Sequence, residues 1–155
     1  MNTSDNQIIE LPSFVLQGLY AKVNPQSGAS EVIGKLWEEF TSGDYANKIP
    51  EMTRGIILTL YTDYISHDKS AYTVYVGCKV SEDLEVVTGL TRIEIPEAKY
   101  AMFLARGLMP EAAMEAWQRI NTMDLPRAFA ADYDLYGPKS QNQEHSEVEI
   151  FVSIH

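Results

Sequence analysis

The sequence predicts one α+β domain made of two units that each contain a strand, a helix and two further strands. Its 155 residues suit a single folded domain, and 45% hydrophobic and 22% charged residues are typical of a globular protein. The order of predicted elements recurs in the two halves, at about residues 8–80 and 90–155. Alternating apolar and polar residues predict that the strands form antiparallel pairs.

The first unit opens with Glu10-Leu11-Pro12 and the apolar run Phe14 to Tyr20. A helix is predicted from Ser30, a suitable N-cap, to Phe40. Its apolar stripe consists of Val32, Ile33, Leu36, Trp37 and Phe40. Two strands are predicted after it, Arg54 to Tyr64 and Tyr72 to Val80.

The second unit repeats this order, opening with Glu94-Ile95-Pro96 and the run Tyr100 to Leu104. A helix is predicted from Pro110, which suits a first helical turn. Its apolar stripe consists of Ala113, Ala116, Trp117 and Ile120. Strands are predicted from Arg127 to Tyr136 and from Glu147 to Ile154. Proline, tryptophan, arginine and a Tyr-x-x-Tyr pattern recur at matching places, which supports the repeat.

The closing strand has one continuous apolar face, which we expect to pack against the helices. That face consists of Val148, Ile150, Val152 and Ile154. Glu149 and Phe151 share the opposite face, and the repeat aligns them with Thr73 and Tyr75. The same alignment places Tyr61 and Tyr133 beside them. Two alternatives remain for this opposite face. It is covered and Glu149 is enclosed by aromatic rings, or it is exposed to solvent and Glu149 is a solvated strand residue.

An enclosed Glu149 would predict a particular kind of binding site. A buried carboxylate is unfavourable unless it is paired or protonated, and aromatic rings attract cations through their faces. Glu149 with Phe151, Tyr61, Tyr75 and Tyr133 would therefore receive a lipophilic cation. Trp37 and Trp117 would close the walls of that site, although core packing is the first expectation for both because they lie on the apolar helix stripes.

The net charge of the chain limits the classes of binding partner that we expect. Twelve Lys and Arg against 22 Asp and Glu give a net charge of −10, which argues against binding nucleic acid or an anionic membrane. It suits a cationic ligand or a basic protein. The single cysteine, Cys78, and an N-terminus without a signal-peptide pattern lead us to expect a cytoplasmic protein. No histidine has metal-ligand spacing and no phosphate-binding loop occurs, so we expect neither metal nor cofactor.

Several passages together resemble the GyrI-like effector-binding domain, which is also the ligand-binding half of AraC-type and MerR-type multidrug regulators. The resemblance extends from about Ile8 to Ile154. It is carried by Leu60–Tyr64, Ala71–Gly77, Ile95–Tyr100, the helix with Trp117, Asp132–Tyr136 and Val148–Val152. The short chain is similar to the stand-alone forms encoded by bacterial integron gene cassettes.

The resemblance implies two pseudo-symmetric strand-helix-strand-strand units in a curved antiparallel sheet with two helices packed on it. It also implies a pocket for hydrophobic, often cationic compounds, with a glutamate at its floor, which the closing strand assigns to Glu149. Ser153 stands where the family often has proline. The leading interpretation is a stand-alone module that binds amphiphilic, drug-like organic cations.

Two other functions stay open. Some GyrI-like relatives resemble hydrolases of electrophilic cyclopropanoid genotoxins, for which Glu147 is the nearest second acid. Others inhibit gyrase, and an acidic chain could bind a basic protein target. No helix-turn-helix segment precedes the domain, so we expect no direct DNA binding. An exposed edge at Phe14 to Val23 could pair with a second copy to form a homodimer.

Overall fold

The fold is one eight-stranded antiparallel sheet with two α-helices. The computed structural model describes residues 7–24, 28–49, 56–64, 71–109, 111–137 and 146–155. The predicted α+β class is confirmed.

The elements follow one another in the order that the sequence predicts, with an additional short strand before each unit. The first half contains β1 (Gln7–Leu11), β2 (Phe14–Val23), α1 (Ala29–Ser42), a short 3₁₀ helix (Tyr45–Lys48), β3 (Ile57–Thr62) and β4 (Tyr72–Val80). The second half contains β5 (Thr91–Ile95), β6 (Ala98–Gly107), α2 (Glu111–Thr122), β7 (Ala131–Tyr136) and β8 (Ser146–Ile154).

The strand order reveals an approximate two-fold symmetry. Across the sheet it reads β1-β6-β8-β7-β3-β4-β2-β5. One unit contributes β6, β8 and β7, and the other contributes β2, β4 and β3 in the mirrored order. The central pair is therefore β3 with β7, in which Thr59 lies opposite Asp134. The two predicted strand-helix-strand-strand units meet along this pair.

The sheet curls strongly. Phe14 of β2 and Tyr133 of β7 are three strand positions apart, about 14 Å in a flat sheet. Their ring centroids are nevertheless only 5.5 Å apart. Short connections impose the curl, because Pro96-Glu97 alone joins β5 at one edge of the sheet to β6 near the other. The concave surface faces away from the helices, and we call it the far face; the surface under α1 and α2 is the helix face.

Three hydrophobic clusters fill the fold. On the helix face, α1 covers one cluster with Leu36 and Phe40 over β2 and β4, and α2 covers another with Ala116 and Ile120 over β6 and β8. The third cluster fills the far face and includes Tyr133 and other aromatic rings. Each fully buried large apolar side chain stabilises the fold by roughly 1.5–3 kcal/mol. Because the two helix-face clusters are separate, a seam runs between them above β3 and β7.

Some boundaries differ from the prediction. Helix α1 starts at Ala29 after Gly28, and no side chain caps it, so Ser30 is not the N-cap. The strands β1 and β5 were not predicted as separate elements. Strand β2 pairs with β5 over Phe14–Gly18, so the predicted free edge is covered along that half. Arg54 and Pro110 lie outside the described residues.

Candidate functional site

The seven residues predicted to form one site lie on two faces of the sheet. Glu149, Phe151, Tyr75 and Tyr133 are on the far face, whereas Trp37, Tyr61 and Trp117 are on the helix face. The predicted alignment of Tyr61 with Tyr133 is wrong, because the phases of β3 and β7 direct the two rings to opposite sides. The structure therefore brings together a different set of groups on each face.

The far face is mainly a packed aromatic core. Tyr133 and Phe151 stack with their centroids 4.7 Å apart, and Tyr100 contacts both rings. Tyr75, Tyr133 and Phe151 are each less than 9% exposed. Glu149 lies opposite Leu135 and Leu104 on the neighbouring strands and is only partly buried. It is thus intermediate between the enclosed carboxylate and the solvated residue that the sequence left open.

The helix face contains a buried acid that the sequence analysis did not select. Asp134 of β7 is 2% exposed and lies on the seam between the two helix-face clusters. Its Oδ2 accepts a hydrogen bond from the Tyr61 hydroxyl at 2.8 Å, and its Oδ1 accepts one from Trp117 Nε1 at 2.7 Å. Both donors are neutral, and among the described residues Asp134 forms no ion pair.

Partly exposed aromatic side chains surround this acid. The rings of Trp117 and Tyr61 meet edge to face at 5.4 Å, and Trp37 meets Tyr136 in the same way at 5.0 Å. Tyr72 packs against Tyr61 at 5.9 Å. Each tryptophan belongs to one unit and each of its tyrosine partners to the other. The result is an aromatic rim above a buried carboxylate, at the junction of the two units.

The surroundings of Asp134 favour its protonated form. Burial raises the pKa of Asp134 to about 7, the nearby negative charge of Asp132 adds to the rise, and the hydrogen bonds from Tyr61 and Trp117 oppose it. Burial and the charge of Asp134 raise the pKa of Tyr61 well above its ordinary value, so this phenol remains a donor. A buried acid that titrates near neutrality is a candidate functional group.

The neighbouring aspartate on the same face is fully paired. Asp132 is 0% exposed and binds the Arg127 guanidinium at 2.8 Å. It also accepts hydrogen bonds from the Tyr64 hydroxyl at 2.6 Å and from the backbone N–H and hydroxyl of Ser153 at 2.7 and 2.9 Å. These bonds join β7, β8 and the segment after α2, so Asp132 has a structural role. Asp134 differs from it because no described residue supplies it with a cationic partner.

The approximate two-fold axis passes through this site. Trp37 Nε1 donates to Thr59 Oγ1 at 3.0 Å, as Trp117 Nε1 donates to Asp134, and Thr59 and Asp134 are cross-strand partners. The ring contacts follow the same relation, so Tyr136 is the counterpart of Tyr61. The two halves of the site therefore share their aromatic groups and differ at the floor, where one half has a hydroxyl and the other a carboxylate.

The sequence analysis did not select Asp134, because apolar and polar residues alternate along β7 as they do in a strand with one solvent-exposed side. Ala131, Tyr133 and Leu135 form its apolar side, while Asp132, Asp134 and Tyr136 form its polar side. Such a pattern ordinarily predicts that the polar side faces water. One signal was present in the sequence. Asp132 and Asp134 are spaced to lie on the same side of a strand, and Arg127 before them could neutralise only one of the two.

The two-fold antiparallel sheet, with aromatic side chains at the junction of its halves, is that of an effector-binding domain, as the family match shows. The chain belongs to the family described as integron-associated effector binding protein, whose model matches residues 7–154. It is 27% identical over 126 residues to the putative transcriptional regulator protein YobU of Bacillus subtilis, with 79% of each chain covered.

Two solved structures share the fold. SAV2435 bound to tetraphenylphosphonium superposes with a TM-score of 0.79 at 16% identity, covering 97% of this chain and 94% of that one. The integron cassette protein VCH_CASS2 from the mobile metagenome of Vibrio cholerae superposes with a TM-score of 0.76 at 22% identity, covering 97% and 95%. Within the described ranges, neither helix has the length and apolar character needed to span a membrane.

Proposed function

We propose that this protein binds amphiphilic organic cations at the seam between α1 and α2, with Asp134 as the charged group at the floor of the site. One observation carries the proposal. Among the described residues, the buried carboxylate of Asp134 is held only by neutral donors, and it lies two residues from an aspartate that has its own arginine. A cationic ligand would supply the counter-charge that Asp134 lacks.

The cost of desolvating the ligand favours a lipophilic cation over a small hydrated one. Removing water from a charge is unfavourable, and this penalty is smaller for a cation whose charge is spread over apolar groups. The rim of Trp37, Tyr61 and Trp117 would add cation–π attraction of about 0.5–2 kcal/mol per ring. The partly exposed position of these rings leaves them available to a ligand.

The comparisons with known proteins support the binding of a small molecule, which is the general class of function proposed. The family is described as effector binding, and SAV2435, which has the same fold, is bound to a lipophilic cation, tetraphenylphosphonium. In this proposal Tyr75, Tyr133 and Phe151 stabilise the curled sheet from the far face. Glu149, on the same face, is then the matched acid that should not matter for binding.

The test compares these two acids. Isothermal titration calorimetry at pH 8 would measure tetraphenylphosphonium and the neutral triphenylphosphine oxide on the wild type, Asp134→Asn and Glu149→Gln. We expect Asp134→Asn to weaken binding of the cation by about ten- to a hundredfold, the range of a charge-assisted interaction, and to leave the neutral ligand within about twofold. Glu149→Gln should bind both ligands as the wild type does. Loss of cation binding in Glu149→Gln alone would move the site to the far face and refute the proposal.

Binding is favoured over the hydrolase alternative. A hydrolase that uses Glu147 as its second acid needs that carboxylate close to the first one and available for proton transfer. Glu147, the predicted second acid, forms an ion pair with Arg106 at 3.2 Å and lies on the far face. Asp132 is held by Arg127. Among the described residues, no unpaired acid accompanies Asp134.

A further inference from the structure

We propose that the site accepts a single positive charge and selects monocations over dications of the same shape. This inference rests on the proposed function and specifies its ligand class. It depends on two features of the helix face, which are the number of buried charges and the asymmetry of the two-fold floor.

Among the buried charged groups that the structure describes on the helix face, one carboxylate has no cationic partner. Asp132 and Asp134 are 0% and 2% exposed, and their side chains point to the same face of β7. Arg127 is 8% exposed and its guanidinium contacts Asp132 at 2.8 Å. Once Asp134 has lost its proton, the two carboxylates and one guanidinium leave a balance of one negative charge, at Asp134.

In the described part of the chain, the other half of the floor has a neutral side chain where the first half has Asp134. Thr59 occupies the position related to Asp134 by the approximate two-fold axis, is 0% exposed, and accepts the Trp37 indole hydrogen bond. A rigid aromatic dication that spans both halves would place one charge at Asp134 and the other over Thr59. The second charge would lose hydration without gaining a carboxylate, which is strongly unfavourable.

The charge of the whole chain acts in the opposite direction. A net charge of −10 attracts a dication more strongly than a monocation at long range. At about 0.15 M salt the Debye length is about 8 Å, so this attraction is largely screened, whereas the interaction within the buried site is not. At physiological salt, the preference between monocation and dication therefore depends on the number of charged groups within the site.

The test uses three ligands of nearly equal shape that differ in charge. They are neutral 4-phenylpyridine, the monocation 1-methyl-4-phenylpyridinium and the dication 1,1′-dimethyl-4,4′-bipyridinium. Calorimetry on the wild type at pH 8 and 0.15 M salt should show the monocation binding at least about tenfold more tightly than either of the others. A dication that binds as tightly as the monocation would overturn this inference and leave the proposed function standing. If neither cation binds better than the neutral compound, both proposals fail.

A pair of variants tests the cause. Thr59→Asp places a second carboxylate directly opposite Asp134 and should shift the preference toward the dication by about tenfold or more. Thr59→Val, the matched neutral control, should keep the preference for the monocation. An unchanged preference in a folded Thr59→Asp protein would contradict the charge-count explanation. The comparison on the wild type decides the proposal if Thr59→Asp does not fold.

Discussion

Asp134, the acid of the proposed site, lowers the stability of the fold at neutral pH. An aspartate in the unfolded chain has a pKa near 4, whereas burial raises the pKa of Asp134 to about 7 in the fold. Between these two values the folded protein holds a proton that the unfolded chain has released. The contribution of Asp134 to stability therefore falls as the pH rises from about 4 to about 7.

Replacing this acid by its neutral amide should remove that dependence. We expect Asp134→Asn to gain stability relative to the wild type between pH 5 and pH 8, by up to about 3 kcal/mol. Urea unfolding of both proteins at the two pH values measures this, and other titrating groups cancel in the difference. A difference between the proteins that stays constant with pH would show that Asp134 titrates normally in the fold.

The choice between Glu149 and Asp134 marks what the sequence can and cannot predict about the site. The closing strand has an unbroken apolar side, so placing Glu149 opposite the helices was possible and is correct. Whether β7 turns its acids or its tyrosine toward the helices depends on how it pairs with β3, and that register is a long-range property. Trp37, Tyr61 and Trp117 were selected for their aromatic character. Tyr61 and Trp117 are in contact, and Trp37 donates to Thr59, the cross-strand partner of Asp134.

Among the elements, two glycines show how closely the strands approach one another. Gly18 of β2 and Gly77 of β4 are cross-strand partners. A Cβ on Gly77 would collide with the backbone oxygen of Gln17, and one on Gly18 with that of Val76. The strand pairing therefore requires glycine at both positions. Gly34, in the middle of α1, has open space around it.

The same substitution should have opposite effects at Gly77 and Gly34. Gly77→Ala should destabilise the fold by about 2 kcal/mol or more, because backbone atoms must move. Gly34→Ala should stabilise it by about 0.5–1 kcal/mol, because alanine restricts the unfolded chain and suits an exposed helix. Chemical denaturation measures both. A tolerated Gly77→Ala would indicate that β2 and β4 are less closely paired than described.

The helices and the long strands were predictable because their apolar residues recur at regular spacing. Strand β4 has the predicted bounds, and β8 begins one residue earlier than predicted. The strands β1 and β5 have only five residues each, and four of the five in β1 are exposed, so their pattern is weak. They are defined by pairing with β6 and β2 at the two ends of the sheet.

For the molecule as a whole, the internal repeat predicts the architecture. The register of β3 with β7 determines which side chains meet in the proposed site. Recurring elements were sufficient to predict two similar units. The position of the symmetry axis between Thr59 and Asp134 required the pairing of β3 with β7. That pairing brings aromatic rings from both units around one acid, so neither unit alone contains the proposed site.

A crystal structure of the complex with tetraphenylphosphonium would locate the bound cation. We expect the phosphorus atom on the helix face beside the Asp134 carboxylate, with phenyl groups against Trp37, Tyr61 and Trp117. Density for the ligand on the far face beside Glu149, with Asp134 still covered by its aromatic neighbours, would refute the assignment of Asp134 as the charged group of the site.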